Sequence, residues 1–422
     1  MADPVAHVTV QVGTEDVPAG RLWVHRHRRS ESQTFVYDEG YLARRDAYPL
    51  DPALPLVSGA LHTAEGRPVF GAFSDSAPDR WGRRLALRAE RRRATSRRET
   101  PRTLGETDVL LAVRDDLRQG SVRFRGPVDH RYLADEASGV PTLLELPELL
   151  DLADRVDRED PSLEEDALAV LVRAGSSLGG ARPKAHVLDR DGRIAIAKFP
   201  SPASDEWDVM RWEWTTLELA RRAGITAPRS GLHAVGSRWV HVIDRFDRRG
   251  RGRIGYVSAM TMLEAADGDV GSYLDIADVI ESESERPTDD LHELWRRVVF
   301  SVLVSNFDDH LRNHGFLRLT DAGWRLSPVF DVNPDPGRPR DRHLHTAIDG
   351  DETEASIALV LEVADAFRLR RADAVGVVAA VAAAVEVWPE VARRTGLPAT
   401  EIEAMRPAFE HDAASEARAL FP

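Results

Sequence analysis

Gly175-Ser-Ser-Leu-Gly-Gly-Ala-Arg-Pro-Lys184 runs on through Ala185-His-Val-Leu188 and the turn Asp191-Gly192 to Arg193-Ile-Ala-Ile-Ala-Lys198. It reads as loop, strand, turn, strand. Three glycines and two serines before a strand let the backbone approach closely and turn N–H groups toward an anion. No Gly-Lys-Ser/Thr closes the segment and no helix follows it, so it is neither a Walker loop nor a dinucleotide fingerprint. Taken alone it is an ordinary glycine-rich hairpin. Alternation along the second strand puts Ile194, Ile196 and Lys198 on one face. Most lysines lie exposed, but one on an apolar face needs an anionic partner, and Glu213 on the next predicted helix, Trp212 to Ala223, supplies it.

Downstream, Asn306-Phe-Asp-Asp-His-Leu-Arg-Asn313 follows an apolar helix and gathers Asp308, Asp309, His310 and Asn313 into one polar turn. A polar turn can simply cap the next element. An Asp followed five residues later by Asn, however, has the spacing of a phosphoryl-transfer loop in which Asp takes a hydroxyl proton and Asn holds a metal. Leu326-Ser-Pro-Val-Phe-Asp331 then presents a further carboxylate after an apolar strand, a donor suited to a hard cation. The order is glycine-rich loop, Lys, Glu, Asp/Asn, Asp. A metal-dependent nuclease or hydrolase built from Asp308, Asp309, His310, Asn313 and His314 is the competing enzymatic reading. It leaves the glycine-rich loop and Lys198 without a role.

Outward from these segments, 422 residues call for two or three packed units. The stretch His7 to Gly71 alternates in short pieces, His7-Val-Thr-Val-Gln-Val and Gln33-Thr-Phe-Val-Tyr, and predicts strands and hairpins. A helix starts near Asp79 and is dense in arginine, from Arg80 to Arg102; a run of this kind is ordinarily a solvated face and could also form a phosphate-binding one. Residues Gly126 to Pro141 read as connection, Pro147 to Val170 as acidic helices, and Ala355 to Leu420 as almost wholly helical with breaks at Pro389 and Pro398. There is no cysteine, so disulfides and thiolate chemistry are excluded. The N-terminal segment lacks the basic and apolar regions of a signal peptide, and the run Ala374 to Val385 is short of a membrane span; the expectation is a cytoplasmic protein with no membrane association. A net charge of -14 repels nucleic acid at long range unless a local basic patch intervenes, so no direct nucleic-acid binding is expected without a partner.

Together the motifs resemble the HipA-type serine/threonine kinases, the toxins of bacterial toxin-antitoxin pairs. The resemblance covers nearly the whole chain and rests on Gly175 to Lys184, Glu213 with Leu219-Ala-Arg-Arg-Ala-Gly-Ile225, Asp244-Arg-Phe-Asp-Arg248, Asn306 to Asn313 and Ser327-Pro-Val-Phe-Asp331. Tyr48-Pro-Leu and Asp75-Ser-Ala-Pro-Asp-Arg-Trp-Gly-Arg-Arg-Leu85 look like the small domain preceding the kinase core. The resemblance implies an α+β, HipA-like kinase fold: a β-rich N-terminal domain over 1–125, a mixed ATP-binding lobe over 145–250 and a helical catalytic lobe over 251–422.

It implies Asp308 as catalytic base and Asn313 and Asp331 as magnesium ligands. Gly175, Ser176, Ser177, Gly179, Gly180, Lys184, Lys198, Glu213 and His310 would surround ATP, and Asp244 to Phe246 would form the hinge near adenine. Ser177, with Ser176 beside it, takes the place of the serine that the family phosphorylates on itself. The implied partners are a helix-turn-helix antitoxin of the HipB type and, as substrate, the synthetase that charges tRNA with glutamate. A catalytically silent kinase-fold module acting as co-repressor through the antitoxin is the alternative. The chain departs from ordinary protein kinases at Val332, where they have the Phe of Asp-Phe-Gly, and has no His-Arg-Asp before the base.

Overall fold

A computed structural model describes residues 3–27, 30–134, 139–160, 162–163, 165–175, 180, 182–250, 252–337 and 342–420. Its contacts divide the chain into two units: 1–204 with 234–257 and 317–321, and 205–233 with 258–316 and 322–422.

In the first unit, strands β1 (Ala6–Val12), β2 (Glu15–His27), β3 (Ser30–Tyr37), β4 (Ala60–His62) and β5 (Val122–Arg125) form a sheet in the order β4-β3-β2-β1-β5. Its neighbours pair antiparallel, with a register shift between Val8 and Thr9. Apolar residues at alternate positions, Ala6, Val8 and Val10 on β1 and Phe35 and Tyr37 on β3, are buried, and Phe73 meets Phe35, Phe70 and Phe124 edge to face. The predicted arginine helix spans Arg80–Arg97, with the Asp79 carboxylate capping its start by accepting from Gly82 N at 2.7 Å.

A second sheet follows, with β6 (Lys184–Leu188), β7 (Ile194–Lys198), β8 (Ser230–Val235) and β9 (Arg238–Asp244) in the order β6-β7-β9-β8. Trp81 and Leu85 of the arginine helix share one core with Leu149 and Leu150 of helix Leu146–Asp157, Val187 of β6 and Ala195 and Ala197 of β7. The β-rich domain and the strands after the glycine-rich loop are therefore one packed body. Trp81 is fully buried and its indole N–H donates to Lys184 O at 3.0 Å.

The second unit is mainly helical, as expected from the sequence. Helix Pro287–Val304 begins three residues before the predicted Asp290, because proline costs nothing at a first helical position. It buries Leu291, Leu294, Trp295, Val298 and Val302 and ends at Ser305 in the left-handed conformation. Helix Arg371–Glu386 packs against it through a stripe that includes Ala374, Val378, Val381 and Val385. The stretch Arg371–Arg394 is long and apolar enough to cross a membrane by length and composition alone; that buried stripe already spends its most regular apolar face. Trp388 stacks on Phe409 at 4.6 Å, with Trp212 of helix Val209–Arg222 against both. That helix belongs to the second unit although it precedes residue 250 in the chain.

Candidate active site

Lys198 closes β7, with Lys184 of β6 and His241 of β9 as its cross-strand neighbours. Ala195 and Ala197 face the core, so Ile194, Ile196 and Lys198 share the opposite face, as alternation requires. Lysine and arginine together number 56, and only two of them, Lys184 and Lys198, are lysine. Both are buried and lie opposite each other. Lys184 pairs with the Asp79 carboxylate at 2.8 Å, each side chain under 5% exposed, which gives its ammonium a structural place at the cap of the arginine helix.

Of the glycine-rich loop, Ser176, Ser177 and Gly179 lie outside the described residues. Its two ends are described. Gly175 has φ 57 and Gly180 φ 117, and a Cβ on Gly175 would meet Leu117 Cδ1 at 3.0 Å, so the left-handed backbone and a close neighbour both favour glycine at 175. The carbonyls of Ala174 and Gly175 lie 3.1 and 3.0 Å from His186 Nδ1, while His186 Nε2 lies 3.0 Å from Arg245 Nη1. A guanidinium can only donate, so Nε2 accepts and Nδ1 carries the proton toward the loop. Burial, then the Arg245 charge, lowers the His186 pKa to about 3, and the ring stays neutral. Arg245 in turn forks onto Asp247, at 2.8 and 2.6 Å, and donates to the carbonyls of Leu117 and Arg118. The segment after β9 and the turn before β5 thus anchor the root of the loop. His186 was missed from sequence because a histidine among strand residues reads as core. Asp244 ends β9 beside Ala195, and Phe246 packs on Tyr256 at 6.2 Å.

In the second unit, Glu213 is buried on helix Val209–Arg222. The two adjacent aspartates after helix Pro287–Val304 have opposite environments. Asp308 is exposed, and its carbonyl accepts from Asn313 Nδ2 at 2.9 Å. Asp309 is buried: it accepts from Tyr273 Oη at 2.6 Å and Ser301 Oγ at 3.1 Å, with His314 Nε2 3.2 Å away. Burial opposes its ionisation, but His314 and the hydrogen bonds outweigh this and hold the carboxyl below its ordinary range. Burial and the Asp309 charge push the Tyr273 phenol far above its usual range, leaving it a neutral donor. The Thr346 hydroxyl also donates to Asp309 O at 2.5 Å. Asp309 is the peg of the turn and Asp308 its exposed carboxylate. His310 meets His345 edge to face at 5.8 Å.

Asp331 has φ 57, a left-handed backbone uncommon outside glycine and concentrated at functional positions. Its approach is pinned by Asp290, which receives a two-pronged bond from Arg325 and one from Leu326 N, and by Arg297 Nη2 donating to Ser327 O at 2.7 Å. Beyond it, Asn333 N donates to Asn306 Oδ1 at 3.1 Å and Asn333 Nδ2 lies 3.4 Å from Asp331 Oδ1. The loops carrying Asp308, Asn313 and Asp331 are thereby tied together within one unit.

Magnesium fits these donors. With Asn313 Nδ2 engaged, its amide oxygen is left for a cation. Asp331 adds a carboxylate, and Asn333 Oδ1 is a buried oxygen with no hydrogen-bond partner among the described residues. Among the described residues no three His, Asp or Glu side chains converge on one metal position.

The architecture is that of an α+β, HipA-like kinase fold. The HipA N-terminal domain matches residues 10–107 and the HipA-like C-terminal domain residues 176–388, and the chain belongs to the HipA family. The solved HipA of the Shewanella oneidensis MR-1 toxin-antitoxin system, in complex with HipB and its operator DNA, shares the fold. It aligns over 98% of this chain and 96% of its own, with TM-score 0.65 and 16% identity. The "Putative kinase Y4mE" of Sinorhizobium fredii is 23% identical over 326 residues, 71% of either chain. A "Putative kinase" of Haemophilus influenzae is 25% identical over 186 residues, 38% of this chain and 54% of the relative's length.

Proposed function

We propose that the chain is a magnesium- and ATP-dependent protein kinase that transfers phosphate to a serine or threonine hydroxyl, and that it is the toxin of a HipA/HipB-type pair. The observation that carries this reading is the division of labour in Asp308-Asp309: one carboxylate buried in a closed network, its neighbour exposed and bonded through its carbonyl to Asn313. An exposed carboxylate on a fixed turn can orient a hydroxyl and take its proton. Asn313 and Asp331 would hold magnesium, Lys198 would steady phosphates, and the N–H groups of the glycine-rich loop would line them. Bound magnesium would supply the positive charge that offsets phosphate charge as it is transferred.

Relatives called kinases and membership of the HipA family support the reading, as does the origin of the solved HipA in a toxin-antitoxin system. Autophosphorylation at Ser177, an aminoacyl-tRNA synthetase substrate and a HipB-type helix-turn-helix partner belong to the same proposal. Incubating the full chain with labelled ATP, magnesium and a cell extract should label one extract protein and the chain itself, and Asp308→Asn should abolish both. Transfer that survives in Asp308→Asn would overturn the assignment, and binding of ATP without turnover in the wild type would favour a silent module.

A further inference from the structure

Cross-strand partners share a face of a sheet. His186 pairs with Ile196, two residues along from the Lys184–Lys198 pair, so it lies on the Lys198 face of the β6–β7 hairpin. There it is the middle member of a closed chain of hydrogen bonds. Arg245 has five N–H groups to place. Nε and Nη2 fork onto the Asp247 carboxylate at 2.8 and 2.6 Å, Nη2 also reaches Arg118 O at 3.2 Å, and Nη1 reaches Leu117 O at 2.6 Å and His186 Nε2 at 3.0 Å. These bonds occupy the whole guanidinium. The single proton of the neutral imidazole then goes to the carbonyls of Ala174 and Gly175, at 3.1 and 3.0 Å. Burying a polar ring is costly unless both nitrogens are bonded, and an apolar side chain would fill a strand position without that demand. Here both nitrogens are spent on joining two places in the chain. Arg245 stands between Asp244 and Phe246, and Gly175 opens the glycine-rich loop. Every member of the relay lies in the first unit.

We propose that His186 and Arg245 are positioning residues for nucleotide binding, holding the start of the glycine-rich loop at a fixed distance from the adenine hinge. The inference deepens the kinase reading and rests on it: ATP is to be gripped by the hinge at one end and by the loop at the other, and a fixed spacing lets both ends engage at once. The β-rich domain takes part, because the carbonyls of Leu117 and Arg118, just before β5, accept two of the five Arg245 bonds. Leu117 Cδ1 also stands 3.0 Å from the place of a Cβ on Gly175. In His186→Leu one Arg245 N–H loses its acceptor and two carbonyls lose their donor. A loop root that then occupies its binding-ready place about a tenth of the time raises the apparent Kd about tenfold. Glutamine offers an oxygen to Arg245 and an N–H to the carbonyls, so His186→Gln keeps the connection.

The test is isothermal titration of the full chain with magnesium and ATP and, separately, with adenosine, beside hydrogen exchange of the same proteins without nucleotide. His186→Leu weakens ATP about tenfold and leaves adenosine, which has no phosphates, within about twofold; His186→Gln returns ATP to within about threefold of wild type. Exchange quickens in peptides covering Ala174 and Gly175 and keeps its wild-type rate in helix Pro287–Val304. Equal weakening of ATP and adenosine, or exchange that rises throughout the chain, marks a general loss of stability and overturns the proposal. So does a His186→Leu protein that binds ATP as tightly as wild type. A wild type that binds neither ligand overturns the kinase reading itself, and this inference with it.

Discussion

Asp308 and Asp309 are chemically identical neighbours, and their surroundings assign them different work. Asp308→Asn should leave the unfolding free energy within about 0.5 kcal/mol of wild type, because the residue is exposed, while phosphate transfer is lost. Asp309→Ala strands Tyr273, Ser301 and His314 around an empty place and should cost about 3–5 kcal/mol in urea unfolding. The reverse pattern would show the register to be wrong by one. His186 makes a pH prediction. Its folded pKa of about 3 lies below the reference 6.5, so below pH 6.5 the unfolded chain takes up a proton that the folded chain refuses. Stability therefore falls as pH drops from 6.5 toward 3, with a slope approaching about 1.4 kcal/mol per unit. His186→Gln, which cannot titrate, should flatten that slope in urea midpoints measured between pH 4 and 7; an unchanged slope would place its origin elsewhere.

Among the elements, the start of the arginine helix is joined to the strand that follows the glycine-rich loop by Asp79–Lys184 and by Trp81 to Lys184 O. Asp79→Ala removes a helix cap, about 1 kcal/mol, and also takes from a buried ammonium the carboxylate that it meets at 2.8 Å, for a further loss of several kcal/mol. Lys184→Met added to Asp79→Ala should restore much of the second loss. Additive effects in the four-way comparison of urea midpoints would show that the two groups are uncoupled. This link was not legible in the sequence, where the pair lies over a hundred positions apart. Lys198 was legible, because alternation in Ile194 to Lys198 needs only local periodicity. The arginine helix was legible as a helix but not in its ion pairs, since Glu90 and Glu99 sit within or beside it while Glu106 reaches Arg83 only through the turn that follows. The split between Asp308 and Asp309 was hidden because a turn has no period that tells an inward residue from an outward one.

For the molecule as a whole, the order of motifs along the chain anticipated the fold, while chain order misplaced helix Val209–Arg222, which contacts assign to the second unit. Regulation belongs to this scale. A phosphate on Ser177 would add about -1.5 to -2 charges to the loop proposed to line ATP phosphates, and would repel the nucleotide. After incubation with magnesium and ATP, mass spectrometry should find phosphate on Ser177, and the modified fraction should bind ATP poorly; phosphate found only at other residues would refute the switch.

The near-absence of lysine has a practical consequence. A lysine-specific endoprotease can cut this 422-residue chain after Lys184 and after Lys198 and nowhere else. Both bonds border the β6–β7 hairpin, and both side chains are buried there. Digestion of the native protein can therefore proceed only when that hairpin opens. The rate at which intact chain disappears becomes a clock for the breathing of a single structural element, read from a gel with no label attached.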